Sequence, residues 1–497
     1  MNDAATRDAT APATLAVVDM GSNSFRLEFG RVEGSQIFRL DTWRETLRLG
    51  GQIDARGRIT REGQQQALAC LGRFAERLRG LHPGAVRAVA TNTFRVATNA
   101  PLFLAKAERV LGFPIDVING HEEARLIYLG VAHVLPASEE RRLVIDIGGG
   151  STEFIIGHGM HAETLDSLPI GCVSMSARFF PGSKLAATAF RDAETVARAE
   201  VEAIASTFSR QRWDVAYASS GTALALADIL AQNGWCDSGI TPEGLARLRK
   251  RMIGAGDVAR LDLAALKPAR APVLAGGLAI MTAALGELEV ECIQPVGGAL
   301  RLGVLYDLLG RTEHQDARSR TIEQFLKRYH VDQAHAERVA ATALALYRRA
   351  LRDPQPDDIQ RLQWAALLHE IGFSVSHNGF HKHGAYILAN ADMPGFASGE
   401  QRNLAELVLG CRGGLAKMLP RLREQPLQTQ LLALRLAVLF HHARRAIDLP
   451  KVTLGTGKPI DLHVPARWLK AHPLSAHLIK QERDQWKSVG IRWKSTR

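Results

Sequence analysis

The chain has 497 residues, 46% of them hydrophobic, and a formal net charge of +11. That length leaves room for three or four domains with sizeable cores, and the five cysteines (Cys70, Cys172, Cys236, Cys292 and Cys411) are scattered, odd in number and free of any C-x-x-C pair, which argues against a disulfide framework or a cysteine metal site. Residues 401–497 carry 18 Lys and Arg against 6 Asp and Glu, so the basic character belongs to the last fifth of the chain. Such a surface attracts polyanions, whether nucleic acid, anionic lipid or polyphosphate, although composition alone does not separate a binding role from a solvated basic face.

The opening stretch MNDAATRDATAPAT is a polar tail without the apolar segment of a signal peptide. No uncharged apolar run approaches the ~20 residues needed to span a bilayer, so a soluble, cytoplasmic protein is expected. Residues 15–30 read as strand, tight turn and strand, VRAVA (86–90) and IDVI (115–118) as further strands, and 61–81 as a helix by its spacing of Ala, Leu and Phe. The same grammar restarts at 143 with paired strands to 157, a helix over 189–209, a strand near 215–218 and a strand APVLAGG after Arg270. Beyond 312 helix follows helix, with breaks at RDPQPDD and ADMPGFASGE, and beyond 449 the chain turns β-prone and basic. The expected architecture is α/β: two duplicated domains over 13–135 and 136–311, a helical domain over 312–448 and a small basic C-terminal domain over 449–497.

Each α/β half opens on an Asp-Gly hairpin, DMGSNSFRL and DIGGGSTEF. Gly21, Gly148, Gly149 and Gly150 permit tight turns whose consecutive N–H groups can form an anion-binding nest, and Ser22, Asn23, Ser24 and Ser151 add polar side chains. Asp19 and Asp146, each at a strand end beside its turn, are placed to hold a cation or a water next to the anion. One such turn is ordinarily a plain hairpin. Two in register, facing across a cleft, make a site for a phosphate chain. Glu153, on the outgoing strand, is a second carboxylate for the metal, and Arg26, Arg95 and Arg270 have the guanidinium geometry that suits phosphate.

The hairpin pair resembles the actin, heat-shock-chaperone and sugar-kinase ATPase superfamily. The segments DMGSNSFRL, ATNTFRVATN, INGHEEARLIYLGV, DIGGGSTEF, LPIGCVSM and GALRLGVLYD resemble the exopolyphosphatase and guanosine pentaphosphate phosphatase family, and WAALLHEIGFSVSHNGFHKHGAYIL is similar to the helical HD-like domain of its long members. The resemblance implies two actin-like (ribonuclease H-like) domains, with Glu123 as the catalytic base that activates the attacking water. It also implies Mg²⁺ as cofactor at Asp146, Glu153 and Asp19, with K⁺ as a candidate monovalent ion, and a homodimer. Inorganic polyphosphate is the expected substrate, and the guanosine pentaphosphate pppGpp is the alternative. A kinase of the same superfamily and a non-catalytic polyphosphate or alarmone sensor are rivals from other classes. Gly297 and Leu302 stand where many relatives carry acidic residues, while Arg301 keeps the pattern. In the helical domain the pair is His369-Glu370 rather than His-Asp, so core or surface histidines plus a polyanion path are favoured there over a separate metal centre.

Overall fold

A computed structural model describes residues 14–312, 316–351, 353–422, 424–445, 447, 449, 452–455 and 460–494. The polar tail over residues 1–13 lies outside them. The chain forms two compact units, 1–317 and 318–497.

The first unit holds two five-stranded sheets. The first sheet contains β1 (Thr14–Met20), β2 (Ser24–Glu33), β3 (Gln36–Thr46), β4 (Val86–Ala90) and β5 (Ile115–Val117), in the order β3-β2-β1-β4-β5. Between its strands run α1 (Arg61–Leu78), α2 (Asn92–Val96) and α3 (Ala100–Leu111), and α4 (Gly120–Ala132) follows β5. The second sheet contains β6 (Arg141–Ile147), β7 (Thr152–His158), β8 (His161–Leu168), β9 (Val215–Ser219) and β10 (Gln294–Pro295), in the order β10-β9-β6-β7-β8. Its helices are α5 (Cys172–Phe179), α6 (Ala187–Ala205), α7 (Ser220–Gln232), α8 (Pro242–Ala255) and α9 (Ala271–Glu287), and α10 (Leu300–Thr312) closes the unit.

Each sheet has the same plan: an antiparallel three-strand meander joined to two parallel strands through its first strand. β1 and β6 are central and buried on both faces, which is why they read as continuous apolar runs rather than alternating ones. The duplication extends to detail. The register of β2 against β3 shifts at Phe29/Gly30, and that of β7 against β8 shifts at Ile156/Gly157, the same offset from Asp19 and Asp146.

A shared core joins the halves. Leu15, Val17 and Val89 from the first sheet, Val144 and Ile155 from the second, and Leu126, Tyr128, Val304 and Leu305 from α4 and α10 form one buried cluster. The two helices approach to backbone contact. A Cβ added to Gly303 would lie 1.7 Å from the Leu126 carbonyl oxygen, and one added to Gly130 would lie 2.3 Å from that of Ala299. Ion pairs fix the crossing: Asp307 on α10 accepts from Arg87 on β4 at 2.6 Å and also from Arg125 on α4, which in turn binds Glu122 at 2.7 Å.

One strand expectation is overturned. APVLAGG is the start of α9, a helix buried on nearly all sides. A short apolar run looks alike as a buried strand or a buried helix, because neither shows a polar face. Its glycines are used for close packing: a Cβ on Gly276 would lie 2.6 Å from the Cys172 carbonyl oxygen on α5.

The second unit is helical: α11 (Ala317–Arg328), α12 (Gln333–Ala350), α13 (Pro356–Leu367), α14 (Phe380–Asn390), α15 (Ser398–Gly410) and α16 (Gln425–Phe440), then a ribbon of β11 (Thr453–Gly455) and β12 (Asp461–His463), and finally α17 (Ala466–Ala471) and α18 (Pro473–Ser488). Among the described residues, no separate core begins at the boundary expected at 449. Leu454, Leu462 and Trp486 belong to the same cluster as Val339, Leu362 and Leu431. A buried pair, Arg435 to Glu482 at 2.5 and 2.8 Å, ties α16 to α18, and Trp486 Nε1 donates to the same carboxylate at 2.7 Å. Among the described residues no helix is long and apolar enough to cross a membrane.

Because α4 and α10 touch through backbone, Gly303→Ala is expected to destabilise the first unit by about 1–3 kcal/mol, the usual consequence of overpacking. Chemical denaturation of wild type and variant checks this through the midpoint at unchanged slope.

Candidate active site

The two Asp-Gly turns meet. Gly149 sits so close to the first turn that an added Cβ would lie 3.1 Å from Asn23 N and 3.2 Å from Ser22 Cβ. The second turn is braced from behind by the start of α5, where Cys172 N donates to the Gly148 carbonyl and Val173 N to that of Gly149, each at 2.9 Å. Both turns open into one cavity of about 480 Å³.

The cavity collects most of the residues singled out from sequence. Asp19, Gly21, Ser22, Asn23, Ser24, Arg26, Glu123, Asp146, Gly148, Gly149, Gly150, Ser151 and Arg270 all line it. Two do not. Glu153 is 1% exposed and lies beneath the second turn, accepting from Ser167 Oγ at 2.9 Å. Arg95, on α2, lines a smaller neighbouring cavity and turns its Nη1 onto Glu123 Oε2 at 2.7 Å and the Ile118 carbonyl at 3.0 Å.

Glu122 and Glu123 are separated by helical geometry. Asn119 caps α4 by accepting from Glu122 N at 2.7 Å, and both carboxylates lie in the first turn, where the helix dipole favours negative charge. Glu122 points into the ionic cluster with Arg125, while Glu123 lines the cavity.

The two hairpins differ at one register position. Asp19 pairs across its hairpin with Arg26, whereas Asp146 pairs with Glu153. The second turn therefore concentrates negative charge. Burial raises the pKa of Asp146 to about 6, with a Ser219 hydrogen bond opposing it and Glu123 and Asp19 adding to it. Glu153 is raised well above the usual carboxylate range by burial and then by Glu123 and Asp146. Glu123 is raised by burial, against which Arg95 pulls. Asp19 is also raised by burial, opposed by Arg301 and Arg26, and its Oδ1 is buried without a hydrogen-bond partner. Oxygen donors of this kind, short of compensating charge, suit a hard divalent cation.

The same cavity has a basic lining. Arg26, Arg39, Arg44, Lys267, Arg270 and Arg301 line the cavity. Arg26 and Arg44 are directly opposed across β2 and β3, a like-charge pairing that destabilises a sheet unless an anion lies between or above the two groups. Arg44 Nε and Nη2 are buried without protein partners. The Arg26 pKa is pushed down to about 10, first by burial and then by Arg301. Arg270 lies against α7, where a Cβ on Gly221 would lie 1.8 Å from its Nη2, so a side chain at that position would push the guanidinium aside. Next to it Ser220 holds φ at +92°, an unfavourable backbone for a residue with a side chain, at the rim of the cavity.

Profiles of known families agree with this geometry. Residues 31–312 match the Ppx/GppA phosphatase family, and residues 317–483 match domain III of the same phosphatases. The chain belongs to the Ppx/GppA phosphatase family. Among solved structures it is similar to an exopolyphosphatase from Cytophaga hutchinsonii (24% identity, 61% of this chain and 98% of that one, TM-score 0.54). It is also similar to the Aquifex aeolicus member of the Ppx/GppA family (24% identity, 61% and 99%, TM-score 0.50) and to an exopolyphosphatase-like protein (25% identity, 59% and 97%, TM-score 0.53).

For a Ppx/GppA phosphatase, the residues not singled out from sequence are informative. Arg39, Arg44 and Lys267 join the site only through the β2–β3 register and the loop before α9, so no local motif marks them. Arg301 does stand in a motif, GALRLG, and binds Glu28 Oε2 through Nε at 2.8 Å and Asp19 Oδ2 through Nη1 at 3.5 Å.

The raised pKa of Asp146 fixes a pH dependence. A carboxyl whose folded pKa lies above its ordinary 3.8 favours folding only while protonated, so this contribution is complete below pH 4 and is lost as pH rises through about 6. In chelated protein, Asp146→Asn is expected to raise stability at pH 7 by on the order of 1–3 kcal/mol and to change it little at pH 4. Thermal unfolding at the two pH values measures the difference.

Proposed function

We propose that the protein is an exopolyphosphatase that removes the terminal phosphate of inorganic polyphosphate. The observation that carries this reading is Glu123, a buried carboxylate that faces a cavity lined by two phosphate-type turns and six basic side chains. Family membership supports hydrolysis.

In the mechanism, N–H groups of the two turns and the guanidinium groups of Arg26, Arg44 and Arg270 hold the terminal phosphates and offset charge on the equatorial oxygens. Glu123 Oε1 or Oε2 takes a proton from water, the water oxygen bonds to phosphorus, and the bridging P–O bond breaks, leaving inorganic phosphate and a chain one unit shorter. Arg95 orients the base and keeps more of it ionised than burial alone would allow. Of the three carboxylates expected to hold Mg²⁺, Asp19 and Asp146 line the cavity and would hold the ion, the unpartnered Asp19 Oδ1 offering it a donor, whereas Glu153 lies beneath the turn. When bound, that ion would neutralise charge on the phosphoryl group and the leaving oxygen.

A second reading, hydrolysis of pppGpp at its terminal phosphate, is favoured by one feature. Beside Arg270 and Lys267 the cavity wall becomes apolar at Leu224, Ala225 and Ala265, a surface that a guanine base could cover.

Phosphate release from long-chain polyphosphate and from pppGpp, with Mg²⁺ and with chelator, ranks the two substrates and tests the ion. Glu123→Gln is expected to lower turnover by about 10²–10⁴-fold in folded protein; undiminished release would show that another group activates the water. Arg95→Gln is expected to move the acid limb of the kcat/KM profile to higher pH, because the arginine holds the Glu123 pKa down. A limb that stays in place would separate Arg95 from the base.

A further inference from the structure

Three donor groups converge in the second unit, far in sequence from the phosphate site. His335 lies in the first turn of α12, and His369 and Glu370 follow the end of α13. Their ligand-type atoms all lie within 4.8 Å of one another, and all three residues are buried. Glu370 Oε1 is 3.6 Å from His335 Nε2 and 3.8 Å from His369 Nε2. Around a tetrahedral ion with bonds of about 2.0–2.1 Å, neighbouring donor atoms sit about 3.4 Å apart, so the cluster closes on an ion with only a small side-chain shift.

A second observation points to a ligand. His369 is 0% exposed, and its Nδ1 lies 2.7 Å from the Ala366 carbonyl oxygen, to which it donates. That bond fixes the tautomer with the lone pair on Nε2, and Nε2 is buried with no hydrogen-bond partner. A backbone carbonyl on one imidazole nitrogen and a free lone pair on the other is the arrangement by which proteins orient histidine ligands. Leaving such an acceptor buried and unmatched is unfavourable, and a metal ion would relieve it.

We propose that His335, His369 and Glu370 bind one divalent transition-metal ion, with Arg444 as its rival for the carboxylate. Two imidazoles and one carboxylate favour Zn²⁺ or Co²⁺ over Mg²⁺ or Ca²⁺, and three protein ligands leave a coordination position for water or an exchangeable ligand. Arg444 Nη1 meets Glu370 Oε1 at 2.7 Å and Nη2 meets Asp332 Oδ2 at 3.2 Å. Its side chain is 43% exposed, so the guanidinium can withdraw to solvent as the ion enters. His369, expected from sequence to be a core or surface histidine, thus becomes a ligand, together with His335, which the sequence did not single out.

The test uses full-length protein stripped with chelator and reloaded with Co²⁺ or Zn²⁺ alone. Visible absorption of bound Co²⁺ and X-ray absorption fine structure are expected to report one ion with two imidazole ligands, a signature that the all-carboxylate phosphate site cannot give. Zn²⁺ affinity is expected to fall by about 100-fold or more in His369→Ala, beyond the effect of losing an outer-shell partner, and to rise in Arg444→Ala. No imidazole-ligated ion in the wild type, or the same Co²⁺ spectrum in His369→Ala, overturns the site. If His369→Ala fails to fold, the spectrum of Glu370→Gln decides in its place, and an unchanged one overturns the assignment. Affinity in Arg444→Ala no higher than in the wild type overturns the rivalry.

Discussion

The backbone contact between α4 and α10 is the constraint on which the first unit rests. Neither sheet can bury its inner face alone, and the two helices packed between them are the last of each half. Gly130 and Gly303 let them cross without side chains between, and the Asp307 cluster with Arg87 and Arg125 locks the crossing to β4. The start of α4 is thereby held at the mouth of the cleft. Glu123 lies on that first turn, so the position of the proposed base is set by packing on the far side of its own helix.

The same unit stores an electrostatic imbalance. Asp146 and Glu153 stand at the second turn and Asp19 at the first, while Arg26 and Arg44 on β2 and β3, Arg270 before α9 and Arg301 on α10 bring guanidinium groups to the same cavity. Burial acts on both sets, raising the acids and lowering Arg26. A protein without a ligand gains nothing from opposing Arg26 to Arg44, or from burying Asp146 beside Glu153. A bound phosphate chain and a cation would complement both walls at once, and so the arrangement is better understood as half of a complex than as a self-sufficient core.

Much of this was legible in the sequence where the signal is local. The hairpins announced themselves through a strand, an Asp and a Gly-Ser turn, and the 127-residue offset between them exposed the duplication. What sequence could not supply was register and depth. Arg44 becomes a cavity residue only because β3 pairs with β2 in one alignment, and Glu153, although it shares a sheet face with its partner Asp146, is held below the cavity floor, where it accepts from Ser167 Oγ. APVLAGG gave no period because α9 has no polar face to create one. The histidine cluster was hidden for another reason: His335 lies on α12 and His369 just past the end of α13, and only the packing of those segments makes them neighbours.

The pairing of Asp19 with Arg26, against that of Asp146 with Glu153, has a further consequence. After a duplication two equal hairpins would give a cleft that looks the same from either end, and a repetitive polymer could lie in it in two orientations. One divergent position makes the ends unlike, with a positive jaw and a negative jaw. On the proposed polyphosphate reading, in which the units are identical and only the terminus is distinct, this asymmetry of the cleft would tell the end of a strand from its middle.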